Sequence, residues 1–223
     1  MKTSFRSLQL ISLAFLLILS SCSPQPKKII KEGKDRLAAW ETHLTMENSS
    51  SFNNLEWQFI GPKNTSGRMT DVAVSPAKDY ILTASASGGV WKTTDDGESW
   101  KPIFEKEISS SIGDIAIAPS NEDIIWVGTG ESNIFRSSHA GCGIYKSTDQ
   151  GETFTHMGLE NSNTISRIVV HPENPDIVFV GVSGNEWTPN EERGFYKTTD
   201  GGETWTRTLK KDDMTGVIDV DMD

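Results

Sequence analysis

The sequence predicts an all-β chain built from repeated four-stranded sheets, and three observations carry that prediction. A short phrase recurs, as "TTDDGESW" at Thr93–Trp100, "STDQGETF" at Ser147–Phe154 and "TTDGGETW" at Thr198–Trp205. The segments around it recur as well. "TDVAVSP" (Thr70–Pro76) matches "GDIAIAP" (Gly113–Pro119) and "SRIVVHP" (Ser166–Pro172), and the phrase's glycine steps by 54 and then 51 residues through Gly97, Gly151 and Gly202. Between these anchors apolar residues alternate with period two and are mostly β-branched or aromatic, the pattern of short half-buried strands.

Each unit reads as four strands, with the recurring phrase as the hairpin turn between the third and fourth. The Ser or Thr hydroxyl and the Asp carboxylate are suited to bind nearby backbone N–H groups. The glycine two places on supplies a positive φ, and the closing Trp or Phe is expected to pack into the interface between sheets. Four-stranded units at this spacing are the signature of a β-propeller.

The phrase resembles the Asp-box, or BNR repeat, on Asp95, Gly97 and Trp100, on Asp149, Gly151 and Phe154, and on Asp200, Gly202 and Trp205. The stretch from "EWQFIGPKNTSGR" to "ERGFYKTTDGGETW" is similar to bacterial envelope proteins described as sortilin-like or glycosyl-hydrolase-like. The same repeat occurs in sialidases, xyloglucan-cleaving glycoside hydrolases, sortilin-type receptors and a photosystem assembly propeller. The resemblance implies a propeller fold and, because the Asp-box marks a turn, no particular reaction.

On this pattern blade 1 runs over 67–104, blade 2 over 111–157 and blade 3 over 164–209. "TGVIDVDMD" (Thr215–Asp223) reads as the start of a fourth blade, over 215–223, with Asp219 in the place of Asp71 and Asp114. Residues 55–60 of "LEWQFIGP" read as an orphan outer strand that closes the last blade, with Trp57 in the place of Trp100. Because propellers typically need at least four blades, 55–223 is expected to be part of a longer propeller. The remaining blades of the full-length chain would then be its partners.

Before this domain stands a leader over 1–21. Lys2 and Arg6 precede an apolar run, Leu8–Leu19, that is short for a membrane-spanning helix. "LSSC" (Leu19–Cys22) resembles a bacterial lipobox, which implies cleavage before Cys22 and its acylation. The expectation is a membrane-anchored envelope lipoprotein, on the periplasmic or outer-membrane face, with residues 22–54 as a tether. Ile30, Leu37, Trp40 and Leu44 give that tether a loosely helical stripe. With Cys22 lipidated, Cys142 is left without a disulfide partner. It reads as a buried filler rather than a nucleophile, with His139 the only base nearby. The formal net charge of −10 gives no electrostatic basis for gripping nucleic acid. No cofactor is called for, and no His/Cys cluster has metal spacing.

Function is expected on the loops joining second to third strands, which share a face with the connections between blades. They are unequal: "ASGG" (Ala86–Gly89), "GESNIFRSSHAG" (Gly130–Gly141) and "SGNEWTPNEER" (Ser183–Arg193). Arg68, Glu131, Asn133, Arg136, Trp187, Glu192 and Arg193 are the candidate ligand-binding residues, with glycan or protein as ligand. Glycoside hydrolysis is the alternative reading. It needs two carboxylates, and Glu131 is the weak candidate for one. The resemblance to xyloglucan-cleaving enzymes places an acid two residues before Gly88-Gly89, where this chain has Ala86. The arginine-led start of sialidases is poorly matched by "GRMT" (Gly67–Thr70). Lastly, Asp71, Asp114 and Asp219, with Arg167 at the equivalent place in the third unit, are expected near the start of the innermost strands, favoured as turn caps and ion-pair partners over the alternative of a cation or polar-ligand site at the channel mouth.

Overall fold

The structure, a computed structural model, describes residues 33–56, 58, 60, 67–77, 79–133 and 138–223. The leader, Cys22, Trp57 and Arg136 lie outside the described residues.

Three antiparallel four-stranded sheets follow one another along the chain, each with its strands in sequence order. Blade 1 holds β1 (Met69–Val74), β2 (Ile81–Ser85), β3 (Val90–Thr93) and β4 (Lys101–Pro102). Blade 2 holds β5 (Ile112–Ile117), β6 (Ile125–Thr129), β7 (Ile144–Ser147) and β8 (Thr155–His156). Blade 3 holds β9 (Ile165–Val170), β10 (Val178–Val182), β11 (Gly194–Thr198) and β12 (Thr206–Leu209). These are the units the repeat predicts. Residues 215–223, read as the opening of a fourth blade, have no strand assignment. Val217 donates its N–H to Val182 O (3.2 Å) and its carbonyl accepts Ser166 Oγ–H (2.6 Å), and Val217 and Val220 face Gly181 as Ile165 and Ile168 face Gly128 in the seam before. Leu55, Glu56, Gln58 and Ile60 are exposed and have no strand assignment. Ahead of them the tether holds a helix, α1 (Gly33–Ser49), with only Gly33 fully buried; Ile30 of the expected stripe lies outside the described residues.

The Asp-box is a closed network of hydroxyl and carboxylate. In blade 2 Ser147 Oγ–H donates to Asp149 Oδ1 (2.6 Å) and accepts Gly151 N–H (2.8 Å), while Thr153 N–H and Oγ1–H donate to the two oxygens of Asp149 (2.9 and 2.5 Å). Thr93, Asp95 and Ser99 repeat the pattern in blade 1, and Thr198, Asp200 and Thr204 in blade 3. The donors hold the carboxylates down: Asp95 and Asp149 fall to about 2, led by the Ser99 and Ser147 hydroxyls, and Asp200 is lowered by that of Thr198. The turn needs two left-handed residues, not one. Asp96 and Gln150 have φ of 57° and 58°, ahead of Gly97 and Gly151, and Gly201 fills the same place in blade 3 without steric cost.

Two cores lie in the seams between blades. The first joins Leu82, Val90 and Phe104 of blade 1 to Ile115, Val127 and Tyr145 of blade 2; the second joins Trp126 and Ile144 of blade 2 to Ile165, Val180 and Tyr196 of blade 3. The Asp-box aromatics of blades 2 and 3 each reach back to the blade before. Phe154 meets Phe104 edge-on at 4.9 Å, and Trp205 meets Trp126 at 6.1 Å with its Nε1–H on Met157 O (2.7 Å). Trp100 departs from the expectation. It is 40 % exposed, beside the exposed Met69 and Val72, because no described sheet lies against that face of blade 1.

Two further contacts tie blade to blade. Each inner strand carries a bulge at Thr70, Gly113 or Ser166, which re-aims the residue after it. Asp71 Oδ2 thereby accepts Ile115 N–H of blade 2 (3.1 Å), and Asp114 Oδ2 accepts Ile168 N–H of blade 3 (2.7 Å). On the outer side Lys92 Nζ donates to Gln150 O of the next Asp-box (2.9 Å), and Lys146 Nζ to Gly201 O (3.0 Å). Each lysine also lies over an aromatic ring of its own blade, Tyr80 at 4.3 Å and Trp126 at 5.1 Å.

Because Asp149 holds a turn, Asp149→Ala should lower stability by about 1–2 kcal/mol, the scale of lost side-chain hydrogen bonds. A thermal melt of the full chain measures it, and binding by the folded variant should be unchanged.

Candidate functional site

The loops after β2, β6 and β10 and the connections between blades gather at one end of the sheets, and backbone hydrogen bonds sew them together. Ala86 N–H donates to Arg68 O, Gly130 N–H to Ser111 O and Gly141 N–H to Asn163 O. The β1–β2 type turns and the Asp-boxes occupy the opposite end, where Gln150 N–H donates to Asp123 O and Gly201 N–H to Asp176 O.

Arg68 and Glu131, 63 residues apart in sequence, meet on the loop face in a two-pronged pair. Nε and Nη2 each lie 2.6 Å from one carboxylate oxygen. Glu131 is 1 % exposed, so its charge is committed to Arg68 and the pair braces blade 1 against the blade 2 loop. Asn133 is exposed beside it. Ala86, where the hydrolase resemblance wants an acid, is a buried methyl.

The β10–β11 loop is organised from within. Arg193, expected to face a ligand, is 8 % exposed. Its guanidinium donates to the carbonyls of Ser183, Asn185 and Thr188, because a loop of this length leaves inward carbonyls that need a donor. Glu192 takes the Tyr196 hydroxyl on Oε2 (2.9 Å), at the foot of the loop. Trp187 stands out at 73 % exposure, its backbone N–H fixed by Asn185 Oδ1 (2.9 Å). Asn190 Nδ2–H reaches Asn161 O (3.2 Å), and Asn161 Oδ1 in turn accepts Gly33 N–H (2.6 Å), so the start of α1 sits at this face too.

Cys142 is buried, its thiol 3.7 Å from Gly33 O and pushed up by burial, the reverse of an activated nucleophile. Among the described residues no group of three His, Cys, Asp or Glu side chains is arranged to hold a metal. None of the described helices is long and apolar enough to cross a membrane.

The inner-strand acids form a chain with Arg167, which lies 3.5 Å from Asp114 and 3.4 Å from Asp219. Asp114, 3 % exposed, is raised to about 7, first by burial and then by the neighbouring charge of Asp71.

The comparisons fit this geometry. The model of the Sortilin-Vps10 family (sortilin, neurotensin receptor 3) matches residues 88–215, more than half of the chain. The chain belongs to this family. Among solved structures the Sortilin-Vps10 chain is similar to an ancestral GH74 enzyme, with a TM-score of 0.58, 22 % identity, and coverage of 72 % of this chain and 20 % of that one. It also matches a GH74 enzyme of Niastella koreensis (TM-score 0.47, 24 % identity, 64 % of this chain and 22 % of that one). YCF48 from Cyanidioschyzon merolae is a further match (TM-score 0.47, 17 % identity, 68 % of this chain and 42 % of that one). The chain thus spans about a fifth of the length of the GH74 structures. Among curated proteins none matches it. Likeness at this identity shows the propeller fold and leaves the loops to be read on their own chemistry.

The lysine straps are the feature the sequence reading missed. Lys92, Lys146 and Lys197 stand at the same place in every repeat, in "WKTT", "YKST" and "YKTT", so the straps had a signal.

A raised carboxyl favours the folded state at low pH, and that gain is lost as pH climbs from about 4 toward 7. Asp114→Asn removes the titration and keeps an acceptor for Ile168 N–H. Its Tm should therefore rise relative to the parent between pH 5 and pH 8, in paired melts across that range.

Proposed function

We propose that this Sortilin-Vps10 chain acts as a binding or scaffolding module, held at the cell envelope by a lipid on Cys22, with a glycan or a protein as its ligand on the loop face. The observation that carries the binding reading is Trp187. A large indole, 73 % exposed, is presented by a loop whose backbone is fixed by Arg193 and Asn185. An aromatic held in place offers contact area at little entropic cost. The groups that would argue for hydrolysis support a structural role instead: Glu131 is spent on Arg68 and the Ala86 position bears no acid. The anchoring reading rests on "LSSC" ahead of a basic start and an apolar run.

Trp187→Ala in the full-length protein should weaken ligand binding by about 2 kcal/mol, as for an aromatic anchor, with the melting curve unchanged. A glycan array and an envelope pull-down on parent and variant read this out, and unfolding of the variant would make Trp187 core and sink the assignment. For the anchor, Cys22→Ala should abolish labelled fatty-acid incorporation and release the protein from the membrane fraction. Equal incorporation in variant and parent would rule the lipid out.

A further inference from the structure

The tether enters the domain at the loop face, and it is pinned there. Gly33 is buried. Its N–H donates to Asn161 Oδ1 (2.6 Å), on the connection from blade 2 to blade 3, and its carbonyl lies 3.7 Å from the Cys142 thiol in the β6–β7 loop. The fit is close: a Cβ on Gly33 would collide with the Glu160 carbonyl, so only glycine fills the place. Asn161 serves a second time, its carbonyl accepting Asn190 Nδ2–H from the β10–β11 loop (3.2 Å). One residue thus holds both the point of entry and the loop that carries Trp187. The pin also shortens the spacer. Residues 22–54 read as one tether in sequence, but α1 begins at the pin, so its 17 residues add nothing to the reach. Only the eleven links from Cys22 to Gly33 remain. They span at most about 40 Å, and a flexible chain of that length averages roughly 20 Å end to end.

We propose that this short leash holds the loop face toward the membrane that carries the lipid, so that Trp187 meets a protein held in that same membrane. The inference rests on acylation of Cys22 and on the loop face as the binding surface, and it names the kind of partner. A body tied by a short chain at one end keeps that end nearest its anchor. The Asp-box end lies further off by the length of a strand such as β5, six residues or about 20 Å. Lys27, Lys28 and Lys31 follow the cysteine, and basic residues beside an anchor are drawn to anionic headgroups, so the leash starts close to the surface. What surrounds the indole favours protein over glycan. A sugar is oriented by polar groups placed beside the aromatic, whereas Glu131 is committed to Arg68 and Arg193 to carbonyls of its own loop. The bilayer itself is a poor ligand for this face, since a chain of net charge −10 is repelled by anionic headgroups. One exposed aromatic is a modest contact. Two proteins confined to one surface need little more, because confinement raises their effective concentration.

The test uses the full-length lipidated protein in vesicles of phosphatidylethanolamine and phosphatidylglycerol that carry an acceptor dye on the headgroup. A donor dye is placed on Asn133→Cys, at the loop face, or on Glu173→Cys, in the β9–β10 turn at the opposite end; Cys142 is buried and stays unlabelled. Energy transfer should be at least twofold stronger from position 133 than from position 173. A flexible Gly-Ser insert of about thirty residues after Pro26 should erase that difference, and Asn161→Ala, which removes the acceptor of Gly33 N–H, should reduce it. In cells, a photoreactive phenylalanine placed at the exposed Thr188 should cross-link to a membrane-held protein, with the yield cut several-fold by the insert. Equal transfer from the two positions of lipidated protein, or stronger transfer from position 173, overturns the inference and leaves the lipid standing. Protein without incorporated fatty acid overturns the anchor and this inference with it. Cross-links to glycan or lipid alone, or none at all, overturn the protein partner. A protein cross-link of undiminished yield in the insert variant keeps the binding surface and overturns the leash. A cross-link unchanged by Trp187→Ala overturns the binding reading itself.

Discussion

The seam between blades is the constraint on which the rest of this structure depends. A four-stranded sheet of this size has two apolar faces and no core of its own, so each blade is stable only against its neighbour. Three layers of contact hold each seam. Near the inner strands a bulge turns a carboxylate toward the next blade, as Asp114 does onto Ile168 N–H. In the middle the branched and aromatic side chains interlock, with Gly128 leaving room where Ile165 comes close. At the outer edge a lysine crosses to the turn of the following Asp-box. The Asp-box is therefore both a turn and a receiver: its left-handed residue offers its carbonyl to the preceding blade.

The repeat made most of the fold legible, since it fixed four strands per unit and the place of every hairpin. What it could not show was anything decided between units. Trp100 carries the same letter as Trp205, yet one is half exposed and the other packs on Trp126. The difference lies in what stands opposite, which the local sequence does not contain. The candidate site suffered the same limit. The unequal loops do gather on one face, with Arg68, Glu131, Trp187 and Arg193. Which arginine meets which acid is a matter of tertiary geometry, and it turned Glu131 and Arg193 into supports.

The two ends of the sheets divide the work. One end holds hydroxyl and carboxylate networks that differ little from blade to blade. The other holds loops of different length whose internal donors, Arg68 and Arg193, stiffen them. Variation at one end costs little because the frame is specified at the other, the usual basis for placing recognition on loops.

The consecutive order of strands within every blade bears on how the chain is made. All pairings inside a sheet join segments adjacent in sequence, so a blade needs only some fifty residues of chain to assemble and no distant strand to thread through it. Contacts of such short range close quickly. As the polypeptide emerges, each finished blade presents a ready template for the next, and growth proceeds by addition to one edge. The outward face of the first blade, around Trp100, has no described sheet against it. On a nascent chain it stays exposed beside the growing edge, and such apolar surfaces are ones a chaperone would be expected to shield.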